Sequence, residues 1–271
     1  MTAPFAAVVG WPAAHSLSPL MMTVWLDAAG IAGRYGVFEI PPERFDPFVK
    51  ALPLLGVSGV NVTLPHKEAA LRLADSASAA ARRVGAANRL TVTGTGLHAH
   101  NTDVDGVAAA LAGDDGAGPA VLIGAGGAAR AALHHVARQD REIRIVNRTR
   151  ARAQALAAEF GVRAGIGDDL DAALAGASLV INATSLGMAG RADITADLSV
   201  CASGALVFDM VYTPLRTGLL KAAAAAGLRT ADGLTMLIGQ ARPSFEAFFG
   251  APPPGDEVVR PVLEARLGDP A

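Results

Sequence analysis

The sequence contains little cysteine, few aromatic residues (5%) and almost no net charge, and two of these scarcities exclude whole classes of protein. The single cysteine, Cys201, excludes an intramolecular disulfide framework and a cysteine-rich zinc site. A net charge of -2 at pH 7 gives no broad basic surface for nucleic acid or anionic lipid. We therefore expect a globular protein of the cytoplasm, with neither a nucleic acid nor a membrane as its partner.

Two long stretches lack charged residues, yet neither predicts a membrane segment. Residues 2–26 contain no Asp, Glu, Lys or Arg, but prolines, a histidine and serines interrupt them, and no positively charged segment precedes them. Residues 172–190 contain Asn182, Thr184 and Ser185, so they fall short of the apolar run that a spanning helix needs. Neither export nor membrane insertion is expected.

Short apolar runs alternate with longer alanine-rich segments, a pattern typical of strands followed by helices. Strands are predicted at 5–9, 35–40, 59–63, 120–123, 142–146, 179–182 and 206–209, with a hairpin at 89–93 and 96–101. Helices are predicted at 20–29, 45–55, 65–73, 105–111, 128–139 and 151–160, and from 235 onward. This alternation favours an α/β fold in which helices cover both faces of a parallel sheet.

A glycine-rich turn follows the predicted strand at 120–123 and opens the next helix. Gly124, Gly126 and Ala129 fit the G-x-G-x-x-G/A pattern of dinucleotide-binding sites. Gly124 would permit the tight turn, Gly126 the close approach of a pyrophosphate, and Ala129 close packing of the helix on the sheet. The first amides of the helix would bind the phosphates. The alternative is a tight turn without a ligand.

The strand at 142–146 ends in basic residues rather than in the carboxylate typical of NAD sites. Its end carries Asn147, Arg148, Thr149 and Arg150, and no acid. A carboxylate would repel a 2′-phosphate, whereas guanidinium groups bind one bidentately. NADP is therefore the predicted cofactor. The alternative is a solvated basic helix start, although the helix dipole disfavours cations there.

A second set of polar residues lies in the first part of the chain. Asn61 and Thr63 alternate at the end of a predicted strand, and Lys67 follows in the first turn of a helix, where the dipole disfavours a cation. A lysine in that place suits proton transfer. Asp103 could hold and orient its ammonium group, or it could merely cap the helix that follows.

Ser16 and Ser18 are separated by one residue and would point to one side of an extended segment, where they could bind a carboxylate. Ser18 also precedes Pro19, which makes it the expected N-cap of a helix. His98 and His100 alternate onto one face, but no third ligand has suitable spacing, so no metal is predicted.

In their order along the chain, these motifs resemble those of shikimate dehydrogenases. The segments are Gly-Trp-Pro-Ala-Ala-His-Ser-Leu-Ser-Pro at 10–19, Asn-Val-Thr-Leu-Pro-His-Lys at 61–67, Gly-Ala-Ala-Asn at 85–88, Asn-Thr-Asp at 101–103, Gly-Ala-Gly-Gly-Ala-Ala-Arg at 124–130, Asn-Arg-Thr at 147–149, Asn-Ala-Thr-Ser-Leu-Gly-Met at 182–188, Asp-Met-Val-Tyr-Thr-Pro-Leu-Arg-Thr at 209–217 and Gly-Leu-Thr-Met-Leu-Ile-Gly-Gln-Ala at 233–241. No single segment would suffice, but the ordered set covers most of the chain and is very specific.

The resemblance implies reversible reduction of the small molecule 3-dehydroshikimate to shikimate with NADPH, a step toward chorismate and the aromatic amino acids. Lys67 and Asp103 would be the catalytic pair. The substrate carboxylate would be bound by Ser16, Ser18 and Tyr212, and the ring hydroxyls by Thr63, Asn88, Asp103 and Gln240. The cofactor-binding residues would be Gly124, Ala125, Gly126, Gly127, Ala128, Asn147, Arg148, Thr149, Arg152, Thr184, Met210 and Gly233.

The resemblance also implies two domains with the active site in the cleft between them. An open α/β substrate-binding domain would comprise residues 1–104 together with 235–271, because the last helices return to it. A Rossmann-type NADP-binding domain would comprise residues 105–234. Assembly as a homodimer is compatible with this organisation.

Three positions depart from the family's pattern. Arg89 stands where threonine is common and would place an extra cation near the substrate pocket. Val104 stands where glycine commonly follows the aspartate. Pro243 should kink the last helix or shift its start.

Alternative functions follow from the same residues. A quinate/shikimate or amino-shikimate dehydrogenase is the closest one, although Ser18 and the basic stretch at 147–149 favour the NADP-dependent shikimate enzyme. A noncatalytic NADP-binding sensor would need neither Lys67 nor Asp103. A module that binds polyanions would need a concentrated basic stripe, which the sequence lacks.

Overall fold

The computed structural model describes residues 3–268 and divides the chain into two compact units. The first unit comprises the described residues up to Asp103 together with those from Gln240 onward, and the second runs from Val104 to Gly239. Each unit contains one six-stranded sheet. No helix within residues 3–268 is both long enough and apolar enough to cross a bilayer.

The first unit is an α/β structure with a mixed sheet. Its strands are β1 (Phe5–Gly10), β2 (Arg34–Glu39), β3 (Gly59–Val62), β4 (Ser76–Ala77), β5 (Arg89–Thr93) and β6 (Gly96–His100). Its helices before residue 103 are α1 (Ser18–Ala29), α2 (Pro42–Ala51), α3 (Lys67–Leu73) and α4 (Ala79–Val84). The strand order is β2-β1-β3-β5-β6-β4, with β1, β2 and β3 parallel, β5 antiparallel to both β3 and β6, and β4 parallel to β6.

The second unit is fully parallel. Its strands are β7 (Ala120–Ile123), β8 (Ile143–Val146), β9 (Ala164–Gly167), β10 (Leu179–Asn182), β11 (Leu206–Asp209) and β12 (Arg229–Ala231). Helices α5 (Asp103–Ala110), α6 (Gly127–Val136), α7 (Arg150–Phe160), α8 (Leu170–Leu174) and α9 (Gly218–Ala225) alternate with them. The order β12-β11-β10-β7-β8-β9 is that of the Rossmann fold, in which the ligand binds where the order reverses, beside β7 and β10.

Apolar residues on the central strands of the second unit explain why both faces of its sheet are covered. Leu122 and Phe208 belong to one buried cluster together with residues of α6 and α7, whereas Val121 and Val207 belong to another together with residues of α9. Successive residues of a strand point to opposite faces, so a continuous apolar run supplies two cores. The predicted bounds of β7, β10 and β11 are confirmed residue by residue.

A buried ion pair fixes the segment that precedes β7. The side chains of Asp114 and Arg141 are each only 1% exposed, and Arg141 Nη1 lies 2.7 Å from Asp114 Oδ2. Arg141 also donates to the carbonyl oxygen of Gly118 and to Ser178 Oγ, at 2.8 and 2.6 Å. One guanidinium group thereby binds several oxygen acceptors in this segment and beside it.

Two further helices follow β12, namely α10 (Gly233–Phe249) and α11 (Asp256–Leu267). From Gln240 onward they belong to the first unit, so the chain returns to that unit within a helix rather than at residue 235. Trp25 of α1 contacts Phe245 of α10 edge to face, with ring centroids 5.7 Å apart. Helix α10 begins at Gly233 and continues through Pro243, so the proline does not shift its start.

The remaining differences from the predicted elements concern short or weakly patterned segments. Elements β4, α4, β9, α8, α9 and β12 were not predicted, and most of them span six residues or fewer. Helix α2 ends at Ala51 and gives way to a 3-10 turn at Leu52–Leu54, and α5 begins at Asp103 rather than at 105. The other predicted strands and helices are present with bounds that differ by a few residues.

Candidate active site

The loops that follow β1 and β3 lie at the same edge of the first sheet, because these neighbouring strands are parallel. Backbone hydrogen bonds tie the loops together: Trp11 N donates to Leu64 O at 3.0 Å, and Thr63 N donates to Val9 O at 2.9 Å. The first loop leads to Ser16, and the second carries Thr63 toward α3. The fold therefore places two of the predicted substrate-binding segments side by side.

An ion pair between Lys67 and Asp103 lies at the start of α3. Lys67 Nζ is 2.6 Å from Asp103 Oδ2, and their side chains are 28% and 15% exposed. Lys67 lies in the first turn of α3, as predicted, although the helix begins at Lys67 itself rather than at residue 65, and Asp103 is the first residue of α5. The ammonium group is therefore held by a carboxylate and still reachable from solvent, which a proton-transferring group requires.

Asn88 connects this pair to the start of the returning chain. Its Nδ2 donates to Asp103 Oδ1 at 2.9 Å and to Gln240 Oε1 at 3.4 Å. Its Oδ1 accepts from the backbone N of Thr102 at 2.6 Å, and Thr102 Oγ1 donates to Gln240 Oε1 at 3.3 Å. The structure thus brings Lys67, Asp103, Asn88 and Gln240 into one connected network.

Two residues that support this network were not assigned a role from the sequence. Thr102 is fully buried, and Asn101 is 1% exposed. Asn101 Nδ2 donates to Ala86 O at 2.9 Å, while its Oδ1 accepts from the backbone N of Asp103 at 3.1 Å. The signal in the sequence is three consecutive polar residues directly after a strand, which fold into a turn that aims the aspartate.

Asn61 does not join Thr63 in the site as alternation suggested. It is buried and accepts from Tyr35 Oη at 2.8 Å, and its Nδ2 donates to Ser244 Oγ at 2.8 Å. Burial raises the pKa of the Tyr35 phenol, which remains a neutral donor in this contact. Asn61 therefore links the sheet to α10 rather than facing a ligand.

The expected N-cap role of Ser18 is wrong. Leu17 occupies the N-cap position of α1 without a side-chain cap, and Ser18 is the first helical residue. The backbone N of Ser18 instead lies 3.2 Å from Ser16 Oγ, so the two serines are adjacent. Glu39, at the end of β2, accepts from the backbone N of Ala13 at 3.0 Å and so restrains the loop that carries them.

His66 is a buried neighbour of Lys67 that sequence reasoning did not single out. Its ring stacks on Phe45 with centroids 4.1 Å apart and planes 5° apart, and its Nε2 lies 2.7 Å from Ile40 O. These contacts fix the residue that immediately precedes the lysine. Among residues 3–268, no group of three or more His, Cys, Asp and Glu side chains could hold a metal ion.

Acidification is expected to destabilise the protein through two histidines. Burial lowers the pKa of His100 and of His135 below 6.5, and the Arg89 guanidinium lowers that of His100 further. Because the unfolded chain then binds protons that the folded chain does not, the free energy of unfolding should fall between about pH 7.5 and 5.5. Each histidine contributes at most about 1.4 kcal/mol per pH unit to the slope of the free energy of unfolding against pH.

Urea unfolding at several pH values measures this slope. His100→Gln and His135→Gln should each flatten it, because each removes one group whose protonation differs between the folded and unfolded chains. His15→Gln, at an exposed position, is the matched control. The same slope in all four proteins would contradict the prediction.

In the second unit, the turn after β7 suits a dinucleotide. Gly124 has φ +109°, and a Cβ there would lie 2.9 Å from Thr184 Cγ2, so only glycine fits. Gly126, Gly127 and Ala128 are exposed, and a Cβ at either glycine would meet nothing within 4 Å. The start of α6 therefore presents backbone amides to an open approach, as a pyrophosphate site requires, with Ala125 half-buried beside them.

The end of β8 provides cations and no competing carboxylate. Arg148, Thr149 and Arg152 are exposed, and no residue from 143 to 158 is acidic. Asn147 Nδ2 donates to Thr149 O at 2.8 Å, which shapes the turn before α7. These residues fit a nucleotide with a 2′-phosphate.

A buried carboxylate organises the loops that follow β10 and β11. Asp209 Oδ1 accepts from Asn182 Nδ2 at 2.8 Å and from Val211 N at 3.0 Å, and Oδ2 accepts from Thr217 Oγ1 at 2.7 Å. Burial raises the pKa of Asp209, and these hydrogen bonds oppose the shift. Asn182 Oδ1 in turn accepts from Thr184 Oγ1 at 2.7 Å.

Three further predicted residues of the second unit lie around these loops. A Cβ on Gly233 would come within 2.4 Å of Met210 O, so glycine lets α10 start against that backbone. Tyr212 is mostly buried, and burial raises the pKa of its phenol. Met210, Tyr212 and Thr184 thus all follow strands on one side of the point where the strand order reverses.

A Rossmann unit with an open glycine-rich turn after its first strand, joined in one chain to a lysine and aspartate pair, is the arrangement of a nicotinamide-dependent dehydrogenase. Two family models match the chain. One, described as "Shikimate dehydrogenase substrate binding domain", matches residues 8–90, and the other, "Shikimate / quinate 5-dehydrogenase", matches residues 108–192. The chain belongs to the shikimate dehydrogenase family.

Individual relatives agree with this assignment. A shikimate dehydrogenase (NADP(+)) of Maricaulis maris is 48% identical over an alignment of 269 positions, which covers 97% of this chain and 96% of that protein. The structure of shikimate 5-dehydrogenase from Thermus thermophilus in complex with NADP(H) and shikimate has a TM-score of 0.86, 37% identity, and coverage of 95% of this chain and 98% of that one. Quinate dehydrogenase from Corynebacterium glutamicum in complex with NAD has a TM-score of 0.88 and 30% identity, with coverage of 97% and 99%.

Proposed function

We propose that this protein is an NADP-dependent shikimate dehydrogenase that reversibly reduces 3-dehydroshikimate to shikimate. The observation that carries the proposal is the 2.6 Å pair of Lys67 and Asp103, held by Asn88 in a chain that also contains the dinucleotide turn. A protein that only binds NADP has no need of such a pair. The relatives named shikimate dehydrogenase (NADP(+)) support the same function over nearly the whole chain.

The first unit would bind the substrate. We assign Ser16 and Ser18 to its carboxylate, with Tyr212 of the second unit as a further donor. Thr63, Asn88, Asp103 and Gln240 would bind the ring hydroxyls. Ser16 and Ser18 are adjacent in the structure, and Asn88, Asp103 and Gln240 share hydrogen bonds, which supports grouping them by ligand.

Lys67 would act directly on the reacting oxygen. NADPH, when bound, supplies the hydride that reduces the ketone carbon. The Lys67 ammonium group donates a hydrogen bond to the ketone oxygen, stabilises the negative charge that develops there and delivers the proton that completes the alcohol. Asp103 Oδ2 orients the ammonium group, and Asn88 holds the other oxygen of that carboxylate. In the oxidation of shikimate the lysine nitrogen takes the proton back.

The second unit would bind the cofactor. The amides of Gly124, Ala125, Gly126, Gly127 and Ala128 would surround the pyrophosphate at the start of α6. Asn147, Arg148, Thr149 and Arg152 would bind the 2′-phosphate and the adenosine ribose, because they end β8 without an acid. Thr184, Met210 and Gly233 would lie along the rest of the dinucleotide.

Quinate is the alternative substrate with a specific observation in its favour. The quinate dehydrogenase from Corynebacterium glutamicum has the same fold as this chain. That protein is described with NAD, however, whereas β8 of this chain ends in arginines. A cytoplasmic location and a homodimer also belong to the proposal. The single cysteine supports the former, and analytical ultracentrifugation would test the latter.

Steady-state kinetics with shikimate and quinate, each with NADP and NAD, test the function. We expect the highest kcat/KM for shikimate with NADP. Lys67→Met, purified in parallel, controls for a dehydrogenase of the expression host. No turnover with any of the four pairs would overturn the proposal, and preference for quinate with NAD would establish the alternative.

A further inference from the structure

A buried cation directly follows a residue of the active-site network in the chain. Arg89 is the first residue of β5 and follows Asn88, and it is only 9% exposed. Its Nη1 donates to the backbone oxygen of Pro243 in α10 at 2.7 Å. A charged donor aimed at a helix carbonyl makes a stronger hydrogen bond than a neutral one, so this contact restrains the helix backbone.

The restrained stretch of α10 is one that the helix itself holds weakly. Pro243 has no N–H, so the carbonyl of Gly239 loses its helical donor, and the ring crowds the preceding turn. Two side chains of the sheet donate hydrogen bonds to α10 at this place. Arg89 donates to the backbone oxygen of Pro243, and Asn61 donates to Ser244 Oγ at 2.8 Å. The sheet therefore supplies external hydrogen bonds where an internal one is missing.

The same stretch of α10 begins with a residue of the site. Gln240 Oε1 accepts from Asn88 Nδ2 and from Thr102 Oγ1, and Asn88 Nδ2 also binds the carboxylate of Asp103. Gln240 lies three residues before Pro243, so a shift of the helix there moves the side chain of Gln240 relative to Asn88.

We propose that Arg89 is a positioning residue for shikimate binding, which acts through the Pro243 carbonyl to hold Gln240 in register with Asn88 and Asp103. This inference rests on the proposed function, because it assigns Gln240 to the ring hydroxyls of the substrate. Arg89 touches neither the reacting oxygen nor the cofactor in this scheme. Its loss should therefore weaken shikimate binding and leave NADP binding unchanged.

The first experiment measures KM for shikimate and for NADP separately in Arg89→Met and Arg89→Lys. Arg89→Met should raise KM for shikimate by roughly tenfold, the loss expected when Gln240 no longer makes its hydrogen bond to the substrate, and change KM for NADP less than twofold. Arg89→Lys keeps a cationic donor and should recover part of the loss. Arg72→Met, which removes an exposed arginine paired with Asp46 in the same unit, is the matched control.

A double-mutant cycle tests whether Arg89 acts through Gln240. If it does, Arg89→Met added to Gln240→Ala should raise KM for shikimate less than twofold further, because the group it positions is already gone. If the factors by which the two single variants raise KM for shikimate multiply in the double variant, the inference is overturned. An unchanged KM in Arg89→Met would overturn it as well.

Hydrogen exchange gives a readout that does not depend on turnover. Amides of residues 244–249 should exchange at least tenfold faster in Arg89→Met than in the wild type, while those of α1 should not change. If Arg89→Met does not fold, Arg89→Gln and Arg89→Lys provide the same comparison of a neutral with a cationic side chain. If the wild type does not turn over shikimate, the proposed function is overturned. If the wild type turns over shikimate but these amides exchange at equal rates in the wild type and in Arg89→Met, the inference alone is overturned.

Discussion

Lys67→Met is expected to lower kcat for shikimate oxidation by about three orders of magnitude, with a much smaller change in KM. The ammonium group of Lys67, 2.6 Å from Asp103, is the group that we assign to the reacting oxygen. General acid–base catalysis contributes roughly 10²–10⁴-fold, and stabilisation of the developing charge acts on the same atom. Methionine keeps the length of the side chain and removes both contributions.

Initial-rate measurements over a range of shikimate concentrations separate the two kinetic constants. Lys50→Met, at an exposed position of α2, is the matched control and should retain full activity. Asp103→Asn should also lower kcat, and adding it to Lys67→Met should cost little more, because the aspartate acts through the lysine. A kcat within threefold of the wild type in Lys67→Met would remove the lysine from the reaction.

Replacing Arg148 and Arg152 together by alanine is expected to raise KM for NADP about a hundredfold and to leave KM for NAD nearly unchanged. Each guanidinium hydrogen bond to a phosphate contributes on the order of 1.5–3 kcal/mol, or roughly tenfold or more in affinity. NAD lacks the 2′-phosphate, so the arginines bind nothing extra on it. The exposed side chains of both residues allow the change without damage to the core.

Kinetics with both nucleotides in the double variant provide the measurement. Arg163→Ala removes another arginine near the surface of the second unit and should alter neither constant. An equal rise of KM for NADP and NAD would show that the two arginines serve the shared part of the nucleotide. That result would contradict their assignment to the 2′-phosphate.

The elements that the sequence predicted best are those buried on both faces. Strands β7, β10 and β11 are uninterrupted apolar runs between polar ends, and their bounds agree residue by residue. Strand β9, with two glycines in four residues, carries no such pattern and owes its place to pairing with β8. Local sequence specifies a central strand through its burial, whereas an edge strand depends on its neighbour.

Residue type and position singled out Lys67, because the helix dipole opposes a cation at a helix start, whereas Asp103 could equally have capped the helix that follows, and the resemblance named the two as a pair. The partners that hold them were harder to predict. Asn88 and Gln240 are far apart in sequence, and their contact depends on the chain returning to the first unit. Arg89 shows the same limit, since its buried contact with Pro243 has no counterpart in the local pattern.

The buried pair of Asp114 and Arg141 restricts how this family member can diverge. Loss of either partner alone leaves the other charge unpaired where both side chains are only 1% exposed, and breaking a buried pair in this way costs about 3–5 kcal/mol, much of a typical domain's stability. Replacement of both by apolar residues avoids that unpaired charge, but it also removes the hydrogen bonds that Arg141 donates to Gly118 O and Ser178 Oγ. The charged pair can therefore be replaced in evolution only by two linked substitutions, so positions 114 and 141 should vary together among close relatives or not at all.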